Sequence, residues 1–340
     1  MIGRTIILDH LNGREAAALM VDGKLDDLLI STDAPAPGTI YRAIADRPIK
    51  GQGGMFLRTP DGAAFLRQIK GMAPGDELLV QVTGYADEGK AIPVQNRVLF
   101  KSRYVIVTPN APGINVSRSI RDDERREEIL AVVHDTVENV PHGIIMRSSC
   151  EHADAEDIAD DLLAMLGLAD QVLNDDGTGG EKLVEGDKPH LLAWRDWVEP
   201  AEIITEDGGF ETHAVLDAID ALESPRFELG GGAFAYVEPT RALVAVDVNT
   251  GKDTSMTAGT KANFALAKGL PRELRLRGLG GQIVLDLAPM PKKDRRGFES
   301  ALKAALRNDS IETVFVGWTP LGHVELQRKR ARLPLVELLK

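Results

Sequence analysis

Residues 241–251 read RALVAVDVNTG, and residues 281–286 read GQIVLD. The first run is a strand that ends in an acid and an amide two residues apart. Period two puts Asp247 and Asn249 on one face and turns Val248 away from them. The second run is also a strand, and it ends on Asp286. Between them, residues 257–276 have helical spacing, and Gly269 and Pro271 predict a kink. Strand–helix–strand connectivity favours parallel neighbours. The two strand ends then lie side by side, and so do the carboxylates of Asp247 and Asp286.

Two carboxylates that close repel as anions, and a divalent cation resolves the conflict. Magnesium prefers one or two carboxylates completed by waters and a substrate phosphate. The competing reading makes each aspartate a turn residue at a strand end. Other candidates fail on spacing. Gly251-Lys252 has the look of a phosphate loop, but the loop's first glycine would fall at Val246 and its Ser/Thr at Asp253. Acids opening a helix explain Cys150-Glu151-His152-Ala153-Asp154 better than metal binding does. The glycines of residues 51–54 have no strand-to-helix context and read as a turn.

The rest of the last third is α/β, with strands at 233–237, 243–248 and 313–317, a helix at 295–306 and a turn at Gly230-Gly231-Gly232. Upstream, residues 2–9 and 16–31 read as strands joined by the turn Asn12-Gly13. A proline-rich break, Ala34-Pro35-Ala36-Pro37-Gly38, precedes residues 39–100. There, short β-like runs alternate with turn chemistry, which suggests a small barrel. Strands at 103–108 and 143–147, helices at 121–137 and 152–173, a flexible loop within 174–188 and a helix at 210–222 complete the pass.

A chain of 340 residues has room for two or three domains. Its single cysteine, Cys150, excludes an internal disulfide and any multi-cysteine zinc site within the chain. No apolar run approaches the ~18 residues of a membrane span, and the N-terminus lacks the pattern of a secretory signal. A cytoplasmic protein is expected. The net charge of −12 would repel nucleic acid. The cations are clustered, however, as Arg272/Arg275/Arg277, Lys292/Lys293/Arg295/Arg296 and Arg328/Lys329/Arg330/Arg332. Such clusters are usually solvated faces and gain meaning only beside a site.

The text RALVAVDVNTGK followed by NFALAKGLPRELRLRGLGGQIVLDLAPM (residues 263–290) resembles the catalytic core of the ribonuclease E/G family. The signature elements are Asp247 and Asn249 on one strand, Asn263 on a helix, the turn Arg275-Leu276-Arg277-Gly278-Leu279-Gly280-Gly281, and Asp286 on a second strand. The resemblance implies a mixed α/β, multidomain chain. An RNase H-like fold (1–35 and 186–225) would carry an inserted S1/OB-like RNA-binding barrel (36–100). A 5′-sensor-like region (101–185) and a DNase I-like catalytic domain (226–340) would follow. Arg241 departs from the family, standing where an acidic residue is usual, and Gly269-Leu270-Pro271 replaces a better helix.

The resemblance further implies a magnesium-dependent endoribonuclease, with manganese as a substitute metal. It would hydrolyse single-stranded RNA to 5′-phosphate and 3′-hydroxyl ends. Asp247 and Asp286 would hold the metal, and Asn249 the scissile phosphate or the attacking water. Phe56 and Phe65 fall at RNA-stacking positions of the barrel, and Lys90 at a basic one. Core packing is the competing role for both rings. Arg275 and Arg277 either support the sheet or touch RNA. Arg147-Ser148 stands for an Arg-Thr pair that binds a 5′-phosphate, while Glu312 replaces a second arginine of that pocket, with Arg307 the nearest alternative cation. The family's two-cysteine zinc motif, small domain and degradosome scaffold do not occur before Lys340. A monomer or weak zinc-independent dimer without structural zinc is expected. The alternative function is a catalytically weak RNA-binding protein of the same fold. A different magnesium phosphodiesterase, such as a DNase, is disfavoured by the barrel aromatics.

Overall fold

Asn12-Gly13 and Asp22-Gly23 both lie in the left-handed region, with φ of 52° and 76° at the first pair and 49° and 75° at the second. Two positive φ values in a two-residue loop match the right-handed twist of the flanking strands. The computed structural model, which describes residues 3–49, 53–67, 69, 71–138 and 141–340, therefore opens with three antiparallel strands, Arg4–Leu11, Arg14–Val21 and Lys24–Ile30. The expected single strand over 16–31 is split by the second turn, where Asp-Gly accepts the conformation a longer strand would forbid. Ile2, Gly51 and Gln52, which fall in the expected first strand and in the expected 51–54 turn, lie outside the described residues.

The described residues divide into two units, Met1–Thr32 with Ala201–Lys340, and Asp33–Pro200. In the first unit, Glu202–Ile204 adds in parallel to the edge of the N-terminal meander. The helix expected over 210–222 is two pieces, Gly209–Thr212 and Val215–Glu223, because Ala214 adopts φ 57° between them. A second, six-stranded sheet has the order Arg226–Gly230, Ala233–Pro239, Val244–Asn249, Gly281–Asp286, Val324–Arg328, Thr313–Trp318. Its only parallel pair is the one formed by the Asp247 and Asp286 strands. Helix Ala258–Leu276 makes the crossover between them and helix Arg295–Asn308 lies beside it. Both helices pack one sheet face through Val246, Val248, Leu266, Leu270, Ile283, Leu285, Phe298 and Leu302. The crossover helix passes through Gly269 and Pro271 without being divided. Gly269 is required because the Phe227 ring occupies the space of a side chain there.

In the second unit, strands Ile40–Ile49, Gly54–Thr59, Gly62–Leu66, Ile92–Gln95 and Glu77–Val82 pair in that order, and the last returns to the first. This is a closed five-stranded, OB-like barrel with one parallel pair, 62–66 with 92–95. Tyr41, Met55, Leu57, Ala64, Leu66, Val80 and Val94 fill it. The segment expected as a loop within 174–188 carries strand Glu181–Val184, which adds to the barrel strand 40–49. Buried Arg42 fixes it by ion pairs with Asp175 and Glu181, and by donating from Nε to the Gly179 carbonyl at 2.8 Å. A small sheet (113–116, 143–146, 105–108, 100–101) and helices Asp123–Thr136 and Ala155–Leu173 form the other layer of this unit. Residues 186–200, expected to join the N-terminal strands, fall instead in the unit of residues 33–200. Helix Pro189–Asp196 ties them there through ion pairs of Asp196 with Lys101 and Arg147, both at 2.8 Å.

Candidate active site

Strand alternation builds the site. Val244, Val246 and Val248 are buried against the helices, so Asp247 and Asn249 project from the opposite face of the sheet. Ile283 and Leu285 do the same for Asp286. Asp247 and Asp286 are direct partners in the parallel register, which is the juxtaposition read from sequence. Asn249 donates from Nδ2 to an Asp247 oxygen at 2.8 Å, which fixes the carboxylate and leaves the amide oxygen for another partner. Both acids are exposed, with 65% of the Asp286 side chain accessible.

This donor set fits a hard divalent cation that keeps most of its own waters. Two adjacent carboxylates with an amide beside them are what magnesium takes. Among the described residues, no group of three or more His, Cys, Asp or Glu is arranged to hold a metal.

His323 was missed by sequence reasoning. It precedes strand Val324–Arg328, whose Val324 is the partner of Leu285, and its Nδ1 lies 3.2 Å from Asp286 Oδ1. Nothing in the spacing around Leu321-Gly322-His323 marks it, because its partner comes from another strand. Asn263, by contrast, is fully buried and away from the open face. Its amide donates to the Ala288 carbonyl at 2.9 Å and accepts from the Ala288 N–H at 3.1 Å. It thereby pins the chain just beyond Asp286 to the crossover helix.

Four arginines of the basic clusters are taken up by the fold, while Lys292, Lys293 and Arg296 are exposed. Arg275 pairs with Asp26, Asp27 and Asp309. Arg277 donates to the carbonyls of Leu222 and Ser224 at 2.8 and 2.7 Å and faces Glu273. Both are buried, so of the two roles open to them they support the fold. Arg328 is buried against Asp309, and half-buried Arg332 is paired with Asp27.

In the barrel, Phe56 and Phe65 are cross-strand partners with ring centroids 5.4 Å apart. Their neighbours Met55, Leu57, Ala64 and Leu66 point inward, so the two half-buried rings lie on the outer face. Arg47, on the adjoining strand, lies 5.2 Å from the Phe56 ring centre. Lys90 sits on a turn, 70% accessible and 2.6 Å from Asp87. The Phe56→Ala/Phe65→Ala double variant should keep the melting temperature near wild type and weaken single-stranded RNA binding by roughly 2–6 kcal/mol before compensation. Titration of a fluorescent oligonucleotide alongside thermal melting checks this. A large drop in melting temperature with unchanged affinity would assign the rings to packing.

Arg147 caps the strand Gly143–Met146 and is occupied. Its guanidinium donates to the carbonyls of Ser102, Arg103 and Arg195 and lies 2.8 Å from Asp196. Burial alone would raise the Asp196 carboxyl, but Arg195 and Lys101 outweigh it and hold the group well below the usual carboxylate range. Ser148 is exposed at the start of a short 3₁₀ turn. Glu312 is exposed in the other unit and lines an open cavity of about 350 Å³ with Lys303 and Arg307.

Ribonuclease G of Salmonella typhimurium (strain SL1344) is 28% identical over 302 residues, covering 76% of this chain and 60% of that protein. Ribonuclease E of Nostoc sp. is 25% identical over 387 residues, covering 95% of this chain and 56% of that protein. Ribonuclease G of Escherichia coli (strain K12) is 28% identical over 310 residues, covering 78% and 62%. The chain thus spans about 60% of the length of the curated relatives it matches. The family model described as "Ribonuclease E/G family" matches residues 100–200 and 197–331, taking in Asp247, Asn249 and Asp286, and the chain belongs to that family.

Proposed function

We propose that this chain is a magnesium-dependent endoribonuclease that hydrolyses single-stranded RNA, leaving 5′-phosphate and 3′-hydroxyl ends. The observation that carries this reading is the register pairing of Asp247 with Asp286, with Asn249 bonded to the first. The two carboxylates would hold the ion and Asn249 would orient the scissile phosphate or the attacking water. Magnesium bound there supplies a water of lowered pKa and positive charge at the phosphoryl oxygens. The six-stranded sheet with its two helices is the proposed DNase I-like catalytic domain. The N-terminal meander with its parallel edge strand is the proposed RNase H-like part, and the barrel, through Phe56, Phe65 and Lys90, the proposed S1-type grip on RNA. Among the described residues no helix is long and apolar enough to cross a membrane; a cytoplasmic site of action is a separate part of the proposal. Incubating the chain with an end-labelled single-stranded RNA should give cleavage with magnesium or manganese and none with chelator. RNA binding without cleavage in magnesium would support the RNA-binding alternative instead.

The same reading makes Arg147 and Ser148 a 5′-phosphate pocket that discriminates poorly. Arg147 already has acceptors on both terminal nitrogens, including an anionic one, which leaves it little capacity for a phosphate. Oligonucleotides differing only in a 5′-monophosphate or 5′-hydroxyl should be cut at similar rates in direct competition. A strong monophosphate preference, lost on Arg147→Ala, would show a working sensor.

A further inference from the structure

We propose that Tyr236, Phe234 and Arg226 form a nucleobase-stacking subsite beside the paired aspartates, taking a base that flanks the scissile phosphate. The inference rests on reading Asp247 and Asp286 as the cutting site.

A single transverse row crosses the sheet. Arg226 is the register partner of Tyr236, Tyr236 of Asp247, and Asp247 of Asp286, which His323 then contacts. Residues directly opposite on antiparallel strands project to the same face. Tyr236 therefore stands beside Asp247, and Phe234, the partner of Asn249, stands one step along the same strand. Their inward neighbours Ala235 and Val237 are buried in the core, so both rings belong to the open face that carries the acids.

Aromatic residues are only 5% of the chain, yet two fall on the polar side of this strand, beside an acid and an amide. The rings touch edge to face, 5.5 Å apart at 80°. The Arg226 guanidinium lies 4.0 Å from the Phe234 ring centre. That guanidinium is also paired with Glu228 at 2.5 Å. Its charge is neutralised locally, so its part here is a flat stacking surface and not phosphate neutralisation. Bases stack on aromatic rings and on guanidinium planes alike.

The Arg226 guanidinium covers one face of the Phe234 ring, and the hairpin turn itself contributes no side chain. The Arg226 and Phe234 strands are joined through Gly230-Gly231-Gly232, all at positive φ and all without side chains. One strand spacing, about 5 Å, separates the aromatic strand from Asp247. A base on the nucleotide whose phosphate lies at the acids can cross that gap. A protein partner would leave the placement of the rings beside the phosphate-handling acids unexplained, whereas a nucleotide accounts for both.

The test pairs an enzyme variant with a substrate variant. Single-turnover cleavage is measured on short single-stranded RNAs in which each nucleotide near the cut is replaced in turn by an abasic one. The wild-type chain should slow about tenfold at one flanking position. Phe234→Val/Tyr236→Val, which keeps strand-forming side chains, should lose a similar factor on intact RNA and show no further loss at that abasic position. Equal abasic sensitivity in wild type and variant, or none in wild type, would overturn the subsite. Thermal melting reports whether the double variant folds, and Tyr236→Val alone replaces it if it does not. If the wild type cuts no RNA at all, the ribonuclease reading fails separately. The subsite is then decided by binding of RNAs carrying 2-aminopurine at each position to the Asp286→Asn chain. Quenching at one position that disappears in the aromatic variants, but survives Phe56→Ala/Phe65→Ala, supports the platform. Quenching unaffected by the aromatic variants overturns it.

Discussion

Asp247→Asn and Asp286→Asn should each reduce RNA cleavage more than a hundredfold, with melting temperature and RNA affinity close to wild type. Loss of a partner outside the ligand set already costs about 10–100-fold in metal affinity or activity, and these changes remove a ligand oxyanion itself. Both side chains are exposed at strand ends and support no packing. Asparagine is nearly isosteric and keeps the backbone register. At Asp247 it retains one oxygen for the Asn249 amide, which now donates to it at 2.8 Å, so local order should survive. The measurements are single-turnover rates in magnesium, RNA affinity in calcium or chelator, and magnesium binding by calorimetry. Wild-type rates in either variant would remove the metal site from the pair.

The acid pair was legible because two independent periodicities converge on it. Alternation along VAVDVN put Asp247 and Asn249 on one face, and the strand–helix–strand rule made the Asp286 strand a parallel neighbour. Neither inference needs contacts from elsewhere in the chain. His323 was not legible, because its nearness to Asp286 depends on the antiparallel register of a strand from a distant segment. Tyr236 was hidden for a related reason. Its partner on the next strand is fixed by the register across the Thr240–Leu243 turn, and that register cannot be counted from strand content alone.

The barrel rings show a limit of pattern reading. Met55-Phe56-Leu57 is apolar throughout, so alternation does not say which face is wet. Only the closed barrel, with Met55 and Leu57 inside, puts Phe56 outside. The basic clusters mislead in the opposite direction. Arg275, Arg277, Arg328 and Arg332 looked like a cationic surface, but each meets a carboxylate or backbone carbonyl brought to it by tertiary packing. These four charges are spent inside the fold, whereas Lys292, Lys293 and Arg296 of the remaining cluster stay exposed just beyond Asp286.

Asp309→Ala should lower the stability of the chain by about 3–5 kcal/mol, the cost of leaving a buried charge without its partner. Asp309 is 1% accessible and meets two arginines, Arg275 and Arg328, the latter at 2.7 Å and itself fully buried. Arg328 also donates to Thr313 Oγ1 at 2.7 Å, while Arg275 reaches Asp26 and Asp27. One carboxylate thus joins the end of the crossover helix, the edge of the six-stranded sheet and the N-terminal meander. Burial lowers the Arg328 guanidinium below its usual value, more than Asp309 restores, so removing Asp309 leaves that cation with less compensation still. The network carries a pH signature as well. Burial would raise Asp27, but Arg332 and Arg275 hold it below its usual value. Its contribution is therefore present above the ordinary carboxylate range and is lost as pH falls through the depressed value. Urea unfolding at neutral pH checks the main effect, with Glu312→Ala as the exposed control, which should stay within about 0.5 kcal/mol of wild type. A loss below about 1 kcal/mol for Asp309→Ala would mean that Arg275 and Arg328 find replacement partners, and that the joint between the two sheets rests on the shared apolar core around Leu276 instead.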